Sequence, residues 1–188
     1  MKGSKFIGQV MPVSDHEEVG RILHGVREEL TNATHVCYAY RLVHRNDDLE
    51  EFSTDAGEPE GSAGIPILNI LRRSSLVNVV AWVARYYGGT KLGIPGLISA
   101  YGETARRALE RVRTKPWVVM TGLDLTLPYP LADRVKGEVE KAGGVMVDEV
   151  YAEAVFLKVN VPKKGVTALV KLLQDMGAGM LQIVSDGD

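Results

Sequence analysis

Two cations and five glycines within one short stretch carry the strongest chemical signal in this chain. The stretch Arg85–Gly102 reads RYYGGTKLGIPGLISAYG. Gly88, Gly89, Gly93 and Gly96 let the backbone take positive φ and let another group approach closely. Arg85 and Lys91 set positive charge beside the turn. A helix starting just after it would add free backbone N–H groups and the positive end of a dipole. Together these are the parts of an anion site, phosphate above all. The order of residues is not that of a Walker loop, because Lys91 follows Thr90 and precedes Leu92, and no G-x-G-x-x-G can be placed. Two readings stay open. In one the glycines serve a structural turn. In the other Arg85, Gly88, Gly89 and Lys91 contact a polyanion, with Tyr86 and Tyr87 available for stacking. A tight turn needs neither cation, so replacing both by glutamine is expected to change stability by roughly 0.5 kcal/mol or less per site and to weaken partner binding.

A second set is His35 with Asp55 and Glu58. The histidine lies on a predicted strand and the acids in the loop Thr54–Gly64 (TDAGEPEGSAG). Histidine titrates near neutral pH, so the three, converging near Lys91, would form an acid–base or hydrolytic set. Nothing in the spacing enforces it: there is no H-E-x-x-H, no nucleophile elbow and no Cys–His pairing. No cofactor is expected. No tightly bound metal is expected either, since these ligands lack the fixed spacing of helical zinc motifs.

Charge is sorted along the chain although the net charge is only −2. Asp47, Asp48, Glu50, Glu51, Asp55, Glu58 and Glu60 form a run with no base. From Arg85 to Lys115 the bases Lys91, Arg106, Arg107, Arg111 and Arg113 oppose only Glu103 and Glu110. These read as two solvated faces. Alternatively the bases form a stripe for phosphate, and the acidic loop is a surface for a protein partner. The small net charge excludes a global field that would gather nucleic acid or an anionic membrane. One cysteine, Cys37, cannot form an internal disulfide, and no apolar run approaches the ~18 residues of a membrane span. A soluble cytoplasmic protein is expected, with no membrane association. The oligomeric state is open, a monomer being compatible with the composition.

The elements that must position these residues follow from periodicity. Lys5–Val13 predicts a strand, and Ser14 or Asp15 caps a helix buried through Val19, Ile22, Leu23, Val26 and Leu30. In the strand His35–Val43, Val36, Tyr38, Tyr40 and Leu42 make the core face, leaving His35, Cys37, Ala39 and Arg41 on a more polar side. A short strand around Leu49–Ser53 pairs back through the Arg45–Asp48 turn. Ser62 is expected to cap the next helix. Val77–Arg85 is a central strand, and the helix leaving the glycine turn runs Leu97–Val112. Near Lys115–Trp117 a proline marks a boundary. Beyond it come a strand Val118–Leu127, a helix Ala132–Ala142, strands Val145–Tyr151 and Ala154–Val161, a helix Lys164–Met176 and a strand Met180–Val184. That βαββαβ order is the ferredoxin-like unit. The fold class is therefore α+β in two domains, 1–115 and 116–188.

Three stretches in order, KGSKF at Lys2–Phe6, THVCYAYR with DAGEPEGSAG, and RYYGGTKLGIPGLISAYG, resemble the IMPACT/YigZ family of translation-associated proteins. The resemblance covers the N-terminal domain, and the C-terminal half is similar to bacterial members in domain type. It implies an N-terminal domain of the type shared by ribosomal proteins and domain IV of elongation factor G, and a C-terminal one like domain V of that factor. It also implies a role in translational control, through a protein partner in eukaryotic relatives and through RNA or the ribosome in bacterial ones; a non-enzymatic binder is the leading reading, with a hydrolase or phosphate-binding enzyme using His35, Asp55 and Glu58 near Lys91 as the alternative. The expected contacts are then Arg85, Tyr86, Gly88, Gly89, Lys91, Arg106 and Arg107. Where the family carries GGLVRAY, this chain has Pro95-Gly96 and then Ser99, losing one N–H donor and one cation.

Overall fold

The structure, a computed structural model, describes residues 3–44 and 47–185. Lys2 of the opening motif and Arg45 and Asn46 of the expected Arg45–Asp48 turn lie outside the described residues. The chain divides into two units, Met1–Lys115 and Pro116–Asp188.

The first unit is built on four antiparallel strands, β1 (Lys5–Pro12), β2 (His35–Val43), β3 (Leu49–Thr54) and β4 (Val79–Tyr86), in the order β1-β4-β2-β3. Strand β4 is apolar on both faces because both are covered. Val80, Trp82 and Ala84 pack with Val19, Leu23 and Val26 of α1 (His16–Glu29). Ala81 and Val83 pack with Ile67, Leu68 and Leu71 of α2 (Gly64–Arg73) and with Leu97, Tyr101 and Ala105 of α3 (Gly93–Leu109). This double cover corrects the expectation of a polar side on β2. Cys37 and Ala39 are fully buried in the larger of the two cores, against α2 and α3. Arg41 is buried there too, with Nε donating to Glu51 at 2.8 Å and Nη1 to the Leu76 carbonyl at 2.6 Å.

Asp15 caps α1, its carboxylate accepting from Glu18 N at 2.8 Å. Helix α3 starts four residues earlier than its apolar periodicity suggests, at Gly93, so the last glycines of the turn are helical. Pro95 falls in the first turn, where a missing N–H costs nothing.

The second unit contains β5 (Met120–Leu127), α4 (Ala132–Lys141), β6 (Val145–Tyr151), β7 (Val155–Pro162), α5 (Val166–Gly177) and β8 (Gln182–Ser185). Its all-antiparallel sheet runs β6-β7-β5-β8, the ferredoxin-like order. Alternation on β5 and β7 sends Leu123, Leu125, Leu127, Val155, Leu157, Val159 and Val161 inward against Val135, Val139, Leu169 and Leu173 of the helices. Among the described residues, no helix is long and apolar enough to cross a membrane.

Candidate functional site

The glycine turn joins β4 to α3, and its backbone is held from beneath by the start of the chain. A Cβ on Gly88 would lie 2.1 Å from the Gly3 carbonyl carbon, so the two backbones touch where no side chain fits. Ser4 Oγ accepts from Gly88 N at 3.3 Å and from Arg85 Nη2 at 3.5 Å. Gly89 and Gly93 have φ of +82° and +71°, the left-handed region open to glycine at little cost.

Arg85 does not reach the surface. Its side chain is 8% exposed, and Nη1 donates to both oxygens of Glu58, at 2.7 and 3.0 Å. Glu58, 3% exposed at its side chain, also accepts from the Tyr101 hydroxyl at 2.8 Å. The guanidinium carbon sits 5.7 Å from the Phe6 ring centre and 5.3 Å from that of Tyr87. Arg85 is therefore the buried strut of the turn, and the expectation that it offers charge to a phosphate is corrected. The physical reason is the carboxylate delivered by the 54–64 loop, which lies 27 residues away in sequence.

Lys91 is the opposite case. It is exposed, and among the described residues no ion pair reaches it. Tyr87 is exposed on the same turn, while Tyr86 is half-buried under the Lys5 ammonium, 5.9 Å from its ring centre.

Arg106 and Arg107 lie on the solvent side of α3, already engaged. Arg106 Nη2 and Arg107 Nε reach Glu103 at 2.8 and 2.6 Å, and Arg106 also pairs with Glu110. Hydrogen bonds from Arg106 and then Arg107 hold the Glu103 carboxyl down to about 2. Arg111, Arg113 and Lys115 follow the helix C-terminus. The 17 residues of α3 span roughly 25 Å at 1.5 Å each. The basic run is thus not one patch. Lys91 stands at one end, Arg111, Arg113 and Lys115 stand at the other, and a neutralised cluster precedes them.

His35, Asp55 and Glu58 share a neighbourhood but do not form an acid–base set. His35 Nδ1 donates to the Ala56 carbonyl at 2.9 Å, with Gly57 packed against its ring. The Asp55 carboxylate accepts from the N–H groups of Gly61, Ala63 and Gly64, each at 2.8 Å. Burial works to raise its pKa, yet the bonds from Gly64, Gly61 and Ala63 prevail and hold the carboxyl below its ordinary range. Asp55, not Ser62, caps α2. Ser62 is buried, and its hydroxyl donates to the Pro59 carbonyl at 2.6 Å. Cys37 Sγ donates to the Asp55 carbonyl at 2.9 Å, and burial pushes the thiol up to about 12, out of reach of nucleophilic chemistry near neutral pH.

The acidic run is consumed in the same way. Glu51 bridges Arg41 and Arg72, Glu50 accepts from Tyr40, and Asp55 and Glu58 are engaged as described. Glu51, Asp55 and Glu58 therefore serve the fold rather than a free acidic surface. Sequence spacing gave no sign of the Arg85–Glu58–Tyr101 network, whose members come from a strand, a loop and a helix. It also gave no sign of a cluster of His16, His44 and Glu50 at the other end of the sheet.

Residues 2–109 match the family described as the Impact N-terminal domain, and residues 125–179 match a domain of unknown function, DUF1949. The chain is 35% identical to an IMPACT family member of Thermus thermophilus over 96% of its own length and 97% of that protein's. It is 30% identical to the Escherichia coli IMPACT family member YigZ, covering 98% of this chain and 91% of the other. A crystal structure of a hypothetical protein superposes with a TM-score of 0.68 at 30% identity, over 98% of this chain and 89% of that one.

Proposed function

The chain belongs to the IMPACT family, and from that premise we propose that it is a non-enzymatic binding module in translation, meeting RNA or the ribosome through the glycine turn. The observation that carries this is the contrast between the two cations of the turn. Arg85 is spent inside, clamped by Glu58, while Lys91 stands exposed, with no ion pair among the described residues, on a turn whose Gly88 packs against Gly3. A turn anchored at Gly88 and carrying an exposed lysine and an exposed tyrosine suits a phosphate and a stacked base. The dispersal of His35, Asp55 and Glu58 onto separate partners supports binding over hydrolysis. Arg106 and Arg107 are secondary contacts, available only at the expense of their pairs with Glu103. A translation-related protein is the remaining candidate partner, and a cytoplasmic location follows from either.

Lys91→Gln tests the reading. It is expected to keep the melting temperature and to lose ribosome or RNA association, with the salt slope of binding flatter by about one. Association should also vanish on nuclease treatment of the lysate. An association that Lys91→Gln leaves intact at near-physiological salt would return the turn to a purely structural role.

A further inference from the structure

At the far end of β2 from His35, three elements bring two imidazoles and a carboxylate together. In an antiparallel sheet, paired residues share a face, and alternate residues of one strand share it too. Tyr40 pairs with Phe52 and Leu42 with Glu50, so Tyr40, Glu50 and His44, which follows the end of β2, lie on the side covered by α1. His16 is the first residue of that helix. His16 Nε2 lies 2.9 Å from Glu50 Oε2, and His44 Nε2 lies 2.8 Å from the same oxygen. All three donor atoms fall within 4.8 Å of one another.

Tyr40 supports the set from behind. Its hydroxyl donates to Glu50 Oε1 at 2.9 Å and lies 3.3 Å from His16 Nδ1. The phenol has one hydrogen, and Glu50 receives it, so the phenol oxygen can only accept from His16. That puts a hydrogen on His16 Nδ1 and turns Nε2 toward a carboxylate oxygen, an arrangement in which a proton or a metal ion is shared between the two. A ligand imidazole whose second nitrogen is fixed by a partner, with the partner also holding the ligand carboxylate, is the outer-shell pattern of metal sites.

We propose that His16, His44 and Glu50 bind one divalent first-row transition-metal cation of the zinc class. The donor set decides the class: two imidazole nitrogens and one carboxylate suit zinc and its neighbours, whereas magnesium and calcium take oxygen ligands. Bonds of about 2.0–2.2 Å set tetrahedral ligand atoms roughly 3.3 Å apart, so the rings open by about half an ångström. With side chains 56% and 43% exposed, His16 and His44 are free to make that adjustment. The ion joins the start of α1 to the β2–β3 hairpin, and its remaining positions go to water. This site is distinct from the glycine turn and revises the expectation of a chain without metal.

The test uses the full chain stripped of metal and titrated with zinc by calorimetry, then with cobalt(II) by visible absorption. One ion per chain is expected. His16→Ala and His44→Ala should each weaken binding at least tenfold, and Tyr40→Phe should weaken it by roughly 10–100-fold. His24→Ala removes an exposed histidine that faces Glu28, away from the proposed site, and should change nothing. Circular dichroism checks that each variant is folded. Zinc binding below one equivalent, binding unchanged in the His16→Ala/His44→Ala double variant, or equal affinity for magnesium would each overturn the assignment.

Discussion

Replacing Arg85 by glutamine should destabilise the N-terminal unit far more than a surface cation would. The guanidinium and the Glu58 carboxylate are 8% and 3% exposed, and Nη1 spans both carboxylate oxygens. Without it, Glu58 keeps the Tyr101 hydroxyl but loses its counter-charge in a site nearly closed to water. Breaking a buried pair from one side costs about 3–5 kcal/mol, mostly the penalty on the stranded charge. For a unit of this size that is roughly 10–20 °C in melting temperature. The assay is denaturant unfolding followed by Trp82 fluorescence, in a Trp117→Phe background that removes the other tryptophan. Trp82 is buried in the sheet and Trp117 is exposed, so the signal reports the N-terminal unit. The double variant Arg85→Gln/Glu58→Gln strands no charge and should recover at least about 1 kcal/mol of the loss. An Arg85→Gln protein within about 0.5 kcal/mol of wild type would refute the strut and restore the surface reading of this residue.

Asp55→Ala should cost about 1–2 kcal/mol through the lost cap of α2. Because the folded-state pKa of Asp55 is depressed, its contribution is complete above the unfolded value and is lost as pH falls below about 4, which acid titration of the wild type against Asp55→Asn will read. Cys37 should resist a thiol reagent at pH 8 and react fully in denaturant, since it is fully buried and its thiol is pushed up to about 12. Gly88→Ala should be strongly destabilising, its Cβ arriving 2.1 Å from Gly3, while Gly25→Ala on the open face of α1 should add about 0.5–1 kcal/mol of stability; thermal melts of the pair separate the two glycine roles.

Periodicity located the elements well where one strand or helix carried its own pattern. The spans His35–Val43 and Val145–Tyr151 emerge with the same ends in the structure. It failed where the deciding contact came from elsewhere. Alternation on β2 names two faces but cannot say that α2 and α3 cover the second, so Cys37 and Ala39 read as outward. Gly93, Pro95 and Gly96 look like loop, yet they form the start of α3, which burial of Leu97 and Tyr101 anchors. Ser62 stands where a cap belongs, but a carboxylate eight and nine residues upstream of Ala63 and Gly64 takes their N–H groups. The metal-ligating set has no spacing to find, being drawn from residues 16, 44 and 50 of three elements.

Arg85 and Lys91 show why a cation beside a glycine turn is ambiguous in sequence. Six residues apart, both satisfy the same description, and burial sends them to opposite roles. The last position of β4 before its end faces the α3 side, where Glu58 and Tyr101 wait, and a charge placed there must be neutralised inside. Lys91 falls after the chain has left the sheet, where no acid of the described residues meets it. The two roles are coupled through the backbone between them. Arg85 and Gly88 both bond Ser4, so the buried strut helps set the position of the exposed turn. Mutating the strut should therefore weaken partner binding only along with stability, whereas mutating Lys91 should weaken binding alone. Comparing the two variants in the same association assay, with the fraction folded measured for each, separates a contact residue from the support beneath it.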